Sequence, residues 1–154
     1  MKIALIGKMC SGKSTVAQYL RDKYNYTILS FGGPVKKYAT EIFDLKHKDR
    51  QIIQDFAQKV REIDDEVWIK YLIREYKNCN SENVVVDDVR FPKEHAALIN
   101  EDFIPIKIDI SDDFQRERII KTYPENYQIH LDRTKNISES YIDKLSYRHK
   151  FTTT

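Results

Sequence analysis

The chain has 154 residues, 26 of them Lys or Arg and 24 Asp or Glu, for a net charge of +2. That balance gives no broad electrostatic footprint for nucleic acid, although it leaves room for local basic pockets that hold small anions. A hydrophobic fraction of 41% supplies one core of ordinary size. No apolar run approaches the roughly 20 residues of a membrane-crossing helix, and the short run after Lys2 stops in a glycine loop rather than a signal-peptide cleavage site. Cys10 and Cys79 lie far apart without metal-ligand spacing and read as free thiols of a reducing compartment. The expectation is a single cytoplasmic domain over residues 1–154, without repeats, linkers or membrane association.

Taken in chain order, Lys2 to Ile6 reads as a buried strand ending at Gly7, and Ser11 to Lys23 as a helix with Val16, Ala17 and Leu20 on one face. Thr27 to Ser30 is a short strand. Gly32-Gly33-Pro34 breaks the chain, and Pro34 opens a helix to about Phe43. Ile52, Ile53, Phe56, Ala57 and Val60 recur at helical spacing, as do Val67, Trp68, Tyr71, Leu72 and Tyr76, the second helix capped by Asp64 or Asp65. Val84-Val85-Val86 is the clearest second strand. A helix follows from Pro92 to about Asn100, then a strand in which Ile104, Ile106, Ile108 and Ile110 alternate with Pro105, Lys107 and Asp109. Asp112 to Lys121 reads as a helix, Ser138 to Leu145 as another, and Lys150 to Thr153 as a last edge strand. Strands alternating with helices predict an α/β fold, a three-layer arrangement with a mainly parallel sheet and helices on both faces. Ligands of such sheets sit at the carboxyl ends of the strands, where this chain places Gly7 and Asp87-Asp88.

Gly7-Lys8-Met9-Cys10-Ser11-Gly12-Lys13-Ser14 has the spacing of a Walker A phosphate loop, in the required place between a strand and a helix. The glycines allow a tight turn whose N–H groups point at phosphate oxygens, and the helix N-terminus adds partial positive charge. Lys13 supplies a mobile cation for the β- and γ-phosphates, the Ser14 hydroxyl a ligand for Mg²⁺, and Thr15 a contact for the α-phosphate. Gly7, Cys10, Ser11, Gly12, Lys13, Ser14 and Thr15 are thus the expected ATP-binding residues. Cys10 beside a helix N-terminus is a candidate for a lowered thiol pKa, with small apolar loop residue as its plainer role. Such enzymes also need a strand-end acid for the magnesium shell, and Val84-Val85-Val86-Asp87-Asp88-Val89-Arg90 provides one. Because side chains alternate along a strand, Asp87 and Asp88 cannot both face the loop in the same way. Arg90 is placed either to meet a phosphate or to pair with the neighbouring acids.

The chain is too short for a motor ATPase, and Arg133-Thr134-Lys135-Asn136 does not match the Asn-Lys-x-Asp segment by which GTPases read guanine. The motifs Ser30-Phe31-Gly32-Gly33-Pro34-Val35-Lys36, Arg61-Glu62-Ile63-Asp64-Asp65-Glu66-Val67-Trp68 and Asp88-Val89-Arg90-Phe91-Pro92-Lys93-Glu94, in this order after the phosphate loop, resemble those of the deoxynucleoside monophosphate kinases of bacteriophages. The resemblance covers roughly residues 1–110. It implies transfer of the ATP γ-phosphate to a deoxynucleoside monophosphate, and host cytoplasm as the compartment if the chain is viral. It makes Asp88 the strand-end acid and metal partner alongside Ser14, and places Ser30, Phe31, Lys36, Arg61, Trp68, Asp88 and Arg90 around the acceptor. Arg61 and Arg90 suit forked contacts with phosphate. Trp68 suits a base-facing wall, or equally a plain core position. A lid over residues 112–136 would bring Arg116, Arg118, Lys121 or Arg133 over the transferring group, with His130 nearby in a structural role. Arg116 and Arg118, two apart on one helix, point in different directions. Lys13, Asp88, Arg90 and Arg116 are the catalytic candidates. A kinase for another anionic acceptor (dephospho-coenzyme A or phosphomevalonate) and an NTP-binding regulator without transferase activity remain the competing readings. The partners expected are small nucleotides, and exposed tyrosines leave a homodimer open.

Overall fold

The computed structural model describes residues 1–135 and 137–154, and for Ile137 and Ser138 the backbone only. Asn136, the end of the anticipated lid segment and of the Arg133–Asn136 comparison, lies outside the described residues. The elements run β1 (Lys2–Ile6), α1 (Lys13–Tyr24), β2 (Thr27–Leu29), α2 (Gly32–Ile42), α3 (Arg50–Ile63), α4 (Val67–Asn78), β3 (Val84–Val89), α5 (Pro92–Asn100), β4 (Ile104–Asp109), α6 (Asp112–Thr122), α7 (Tyr127–Arg133), α8 (Ile137–Ile142) and β5 (His149–Thr152).

The strands form one sheet in the order β2-β3-β1-β4-β5. β1 pairs in parallel with β3 and β4, and β4 with β5. The fold is an α/β three-layer arrangement, a parallel five-stranded sheet flanked by helices. Helices on both faces explain why the central strands are continuously apolar instead of alternating: Ile3 to Ile6 and Val84 to Val86 are all buried. Ile3, Leu5, Val85 and Ile108 pack with Ala17, Val16 and Leu20 of α1, so Ala4, Ile6, Val84 and Val86 turn to the opposite face.

By proximity the chain divides into two compact units, Met1–Ile28 with Glu82–Thr154, and Leu29–Ser81. The second unit has its own core, in which Val35 of α2, Ala57 of α3 and Trp68 of α4 are buried together with Tyr38, Ile53, Phe56 and Val60 around them.

Several local expectations are corrected. Gly32-Gly33-Pro34 does not interrupt the chain but begins α2, with the Ser30 hydroxyl accepting the Gly33 N–H at 3.0 Å. Neither Asp64 nor Asp65 caps α4. Glu66 occupies that position without a side-chain cap, while Asp64 accepts the Glu66 N–H and pairs with Lys70 at 2.7 Å. Lys107, on the expected polar side of β4, is buried and donates to Asp143 at 2.9 Å. A parallel strand next to the edge is covered on both sides, so its cation needs a buried partner rather than water. α7 has no apolar period to announce it; its buried His130 stacks instead on Tyr123, with ring centroids 3.8 Å apart.

β3 runs through Val89, one residue beyond the expected strand end at Asp87-Asp88, and so carries the two acids within it. Its register against β1 slips by one residue: Ala4 faces Val86, but Ile6 faces Val89. Asp87 and Asp88 therefore share the place opposite Leu5, as at a β-bulge, and strict alternation does not hold for them.

Candidate active site

The phosphate loop is built by close approaches that only its residue types permit. A Cβ on Gly7 would drive into the Ile108 carbonyl oxygen and come within 2.6 Å of the Ser11 hydroxyl. Gly12 sits at φ 104, a left-handed conformation that favours glycine, and is followed by the first residue of α1. Cys10 adopts φ 61 despite carrying a side chain. Burial pushes its thiol pKa up, with Lys13 and Arg118 opposing the shift. The lowered pKa considered from sequence is therefore corrected, since loss of hydration outweighs the nearby cations.

A cavity of about 790 Å³ opens in front of the loop. Cys10, Gly12, Lys13, Ser14 and Thr15 line it from the loop, Asp87, Asp88 and Arg90 from β3 and the residue after it, and Phe114, Glu117, Arg118, Lys121 and Tyr123 from α6 and its end. Gly7 and Ser11 are buried beneath it.

Lys13 is buried and donates from Nζ to the Gly7 carbonyl at 2.6 Å and the Lys8 carbonyl at 2.8 Å. Burial first, and the Arg90 guanidinium second, push its pKa down to about 8, with Glu139, Asp88 and Asp87 acting the other way. The Asp87 pKa is raised by burial and by the neighbouring Asp88, with Lys13 and the Ser14 hydroxyl opposing the shift. Both Asp87 and Asp88, the latter the acid that the resemblance favours, line the cavity because of the bulge.

Magnesium suits these donors. Ser14, Asp87 and Asp88 bring oxygen donors to one cavity, and no group of three or more His, Cys, Asp or Glu able to hold an ion by itself occurs among the described residues. Mg²⁺ characteristically takes one or two protein oxygens and completes its shell with water and substrate phosphates.

The residues anticipated for the acceptor fall in both units. Asp88 and Arg90 belong to the cavity just described. Ser30, Phe31, Lys36, Arg61 and Trp68 belong to Leu29–Ser81. Within that unit Ser30 caps α2, Phe31 is buried, Lys36 is exposed on α2 and Arg61 half-buried on α3. Trp68 is a core residue: its indole N–H donates to the Ala57 carbonyl at 3.3 Å and its ring packs on Phe56 at 5.9 Å. Glu94, the last residue of the Asp-Val-Arg-Phe-Pro-x-Glu motif, accepts the Arg90 and Phe91 N–H groups at 3.0 and 3.1 Å and so starts α5, with Pro92 in the first turn.

On α6 the two arginines separate as their spacing requires. Arg118 lines the cavity and donates to the Cys10 carbonyl at 3.1 Å, over the Phe114 ring. Arg116, the catalytic candidate, is exposed and lines a different cavity. The sequence reading missed three residues that touch the loop from behind: Gln115, Glu139 and Thr153. Thr153 had a legible signal, since it follows a last parallel strand and so returns to the edge that carries the loop.

The chain belongs to the AAA domain family, whose pattern matches residues 3–141. Within that class it is similar to a putative deoxynucleotide monophosphate kinase of Acanthamoeba polyphaga mimivirus, 29% identical over 185 aligned positions that cover 94% of each chain. It is also 32% identical over 87 residues to an S-adenosylmethionine-dependent nucleotide dehydratase of Lacinutrix mariniflava, covering 56% of this chain and 17% of that one. The solved structure of TT1252 from Thermus thermophilus shares the fold, with a TM-score of 0.64 at 14% identity over all of this chain and 88% of that one. The resemblance read from the motifs and the relationship read from the whole chain agree on a P-loop domain of the kinase type. No helix among the described residues is long and apolar enough to cross a membrane.

Proposed function

We propose that this protein transfers the γ-phosphate of ATP to a deoxynucleoside monophosphate, giving the diphosphate. The observation that carries the reading is the single cavity in which Lys13, Ser14, Asp87, Asp88 and Arg90 meet. The likeness to the mimivirus protein along the whole chain supports the acceptor class.

The loop N–H groups and the start of α1 would bind the triphosphate. Lys13 would exchange its two carbonyl partners for the β- and γ-phosphate oxygens. Ser14, with Asp87 beside it, would hold Mg²⁺, which when bound neutralises charge on the phosphate oxygens. Asp88 would orient the surrounding water or the acceptor. Arg90 would meet the acceptor phosphate, and Arg118 and Lys121 are better placed than Arg116 to offset charge on the transferring group. The attacking phosphate oxygen is already anionic near neutral pH, so no strong general base is required. Catalysis rests on positioning and charge neutralisation. The segment 112–136 is the lid candidate, and its closure would exclude water. Lys36 and Arg61 are assigned to the acceptor by the resemblance. Residues 1–154 would act as one kinase domain.

The test is a coupled ADP-release assay with ATP, Mg²⁺ and a panel of dTMP, dGMP, dCMP, dAMP, their ribose forms and dephospho-coenzyme A. Release stimulated by one or more deoxynucleoside monophosphates is the expected result and defines the base range. Stimulation by dephospho-coenzyme A alone, or by nothing, transfers the assignment to another acceptor or to a non-catalytic NTP-binding role.

A further inference from the structure

The outer edge of the phosphate loop is held by side chains from three later parts of the chain. Arg118 of α6 donates to the Cys10 carbonyl at 3.1 Å, and the Thr153 hydroxyl donates to the Ser11 carbonyl at 2.7 Å. The Met9 backbone is held on both sides of its Cα: Gln115 of α6 donates to the Met9 carbonyl at 2.8 Å, and the Glu139 carboxylate of α8 accepts the Met9 N–H through both oxygens, at 3.1 and 3.2 Å. Gln115 and Glu139 are both buried, at 5% exposure each.

Glu139 is the unexpected member. A buried carboxylate beside a loop built for anions repels the ligand, so its presence there calls for a compensating role. It does not line the cavity in front of the loop but a neighbouring one of about 720 Å³, bounded also by Lys8, Asp112 and Asp143. It therefore grips the loop without occupying the ligand's place. The Met9 N–H belongs to the Lys8–Met9 peptide and the Met9 C=O to the Met9–Cys10 peptide, so two buried partners fix the peptide planes on either side of the Met9 Cα and restrain the turn at Cys10 and Ser11 that follows.

We propose that Glu139 and Gln115 are positioning residues of the phosphate loop, clamping the backbone on either side of Met9 so that the loop is ordered before the triphosphate arrives. This rests on the reading of Gly7–Ser14 as a triphosphate-binding loop. The clamp removes ordering from the cost of binding, because the loop is fixed on folding instead. α6, which opens the lid candidate, and α8, which follows it, thus both hold the backbone at Met9.

Calorimetric titration with inorganic tripolyphosphate, at constant pH and salt, tests the clamp on the full chain. Glu139→Leu is expected to weaken binding on the order of tenfold, whereas Glu139→Gln, which still accepts the Met9 N–H and no longer repels an anion, binds as well as the wild type or better. Gln115→Leu loses about threefold by the same reasoning, and it carries the test if Glu139→Leu does not fold. Wild-type affinity in folded Glu139→Leu and Gln115→Leu overturns the proposal. So does a loss in Glu139→Gln equal to that in Glu139→Leu, which would assign the effect to charge. Lys13→Ala reports separately on the loop: undiminished tripolyphosphate binding in that variant overturns the reading of Gly7–Ser14, whatever position 139 does.

Discussion

The two units of the chain solve different problems with different chemistry. In Met1–Ile28 with Glu82–Thr154, polar side chains grip backbone: Lys13, Gln115, Arg118, Glu139 and Thr153 all hydrogen-bond to peptide groups of one loop. In Leu29–Ser81, aromatic and aliphatic side chains grip one another, with Trp68 against Phe56, Phe43 against Phe56 and the Tyr38 and Tyr71 hydroxyls 2.8 Å apart. Lys48 is lowered in pKa by burial and then by repulsion from Arg50 and Lys36. The first unit gathers polar side chains around the backbone of one loop; the second is a helical unit held together by packed rings.

That contrast breaks most visibly at Lys13. Lys13→Ala should reduce phosphoryl transfer by about 10⁴-fold in the ADP-release assay, since a cation is removed from where charge develops. Thermal melting should show no comparable loss, because burying that cation costs the fold rather than supporting it. Full activity in the variant would remove the assignment of the site. The corresponding break in the second unit is one of stability. Trp68→Ala should cost about 4 kcal/mol by loss of a buried ring and the cavity it leaves, seen as a lower urea midpoint. Trp68→Phe should recover much of that stability with an unchanged acceptor KM. A raised acceptor KM in well-folded Trp68→Phe would make the indole a base-contacting wall after all.

Between these lies the pair of acids. Asp87→Asn should lower the rate by about 10²-fold and raise the magnesium requirement, because a carboxylate that lines the cavity with Ser14 loses its charge. Asp88→Asn should affect the magnesium requirement less and the acceptor KM more. The opposite order in a magnesium titration of the two variants would return the metal role to Asp88.

These acids also mark where sequence reading stops. The loop Gly7–Ser14 was legible because a fixed spacing, a preceding strand and a following helix describe one local geometry. The parallel sheet was legible because strands buried on both faces leave continuous apolar runs such as Val84–Val86. Asp87 and Asp88 could be found but not distinguished, since the register slip opposite Leu5 is a property of two strands, not of one. Glu139, Gln115 and Thr153 act on the loop from more than a hundred residues away along the chain. No local pattern announces a side chain whose partner is a distant peptide. Trp68 was ambiguous for the opposite reason: helical spacing says that one face is covered without saying by what.

The mildest test concerns the charge of Lys13. Its pKa in the folded protein is about 8, against an ordinary lysine value of 10.5, chiefly through burial. The triphosphate selects the charged form, so affinity should be greatest below pH 8 and fall above it, approaching tenfold for each unit while the free protein is losing this proton. Stability should run the other way. Between about 8 and 10.5 the unfolded chain holds the proton that the folded chain has released, so folding gains as pH rises through that window. Binding above pH 8 must then take up a proton, and the measured heat should change with the ionisation enthalpy of the buffer. Titration of tripolyphosphate in two buffers of different ionisation enthalpy reads that uptake directly. Equal heats, with an affinity flat through pH 9, would mean that Lys13 keeps its proton and that its contacts with the Gly7 and Lys8 carbonyls outweigh its burial.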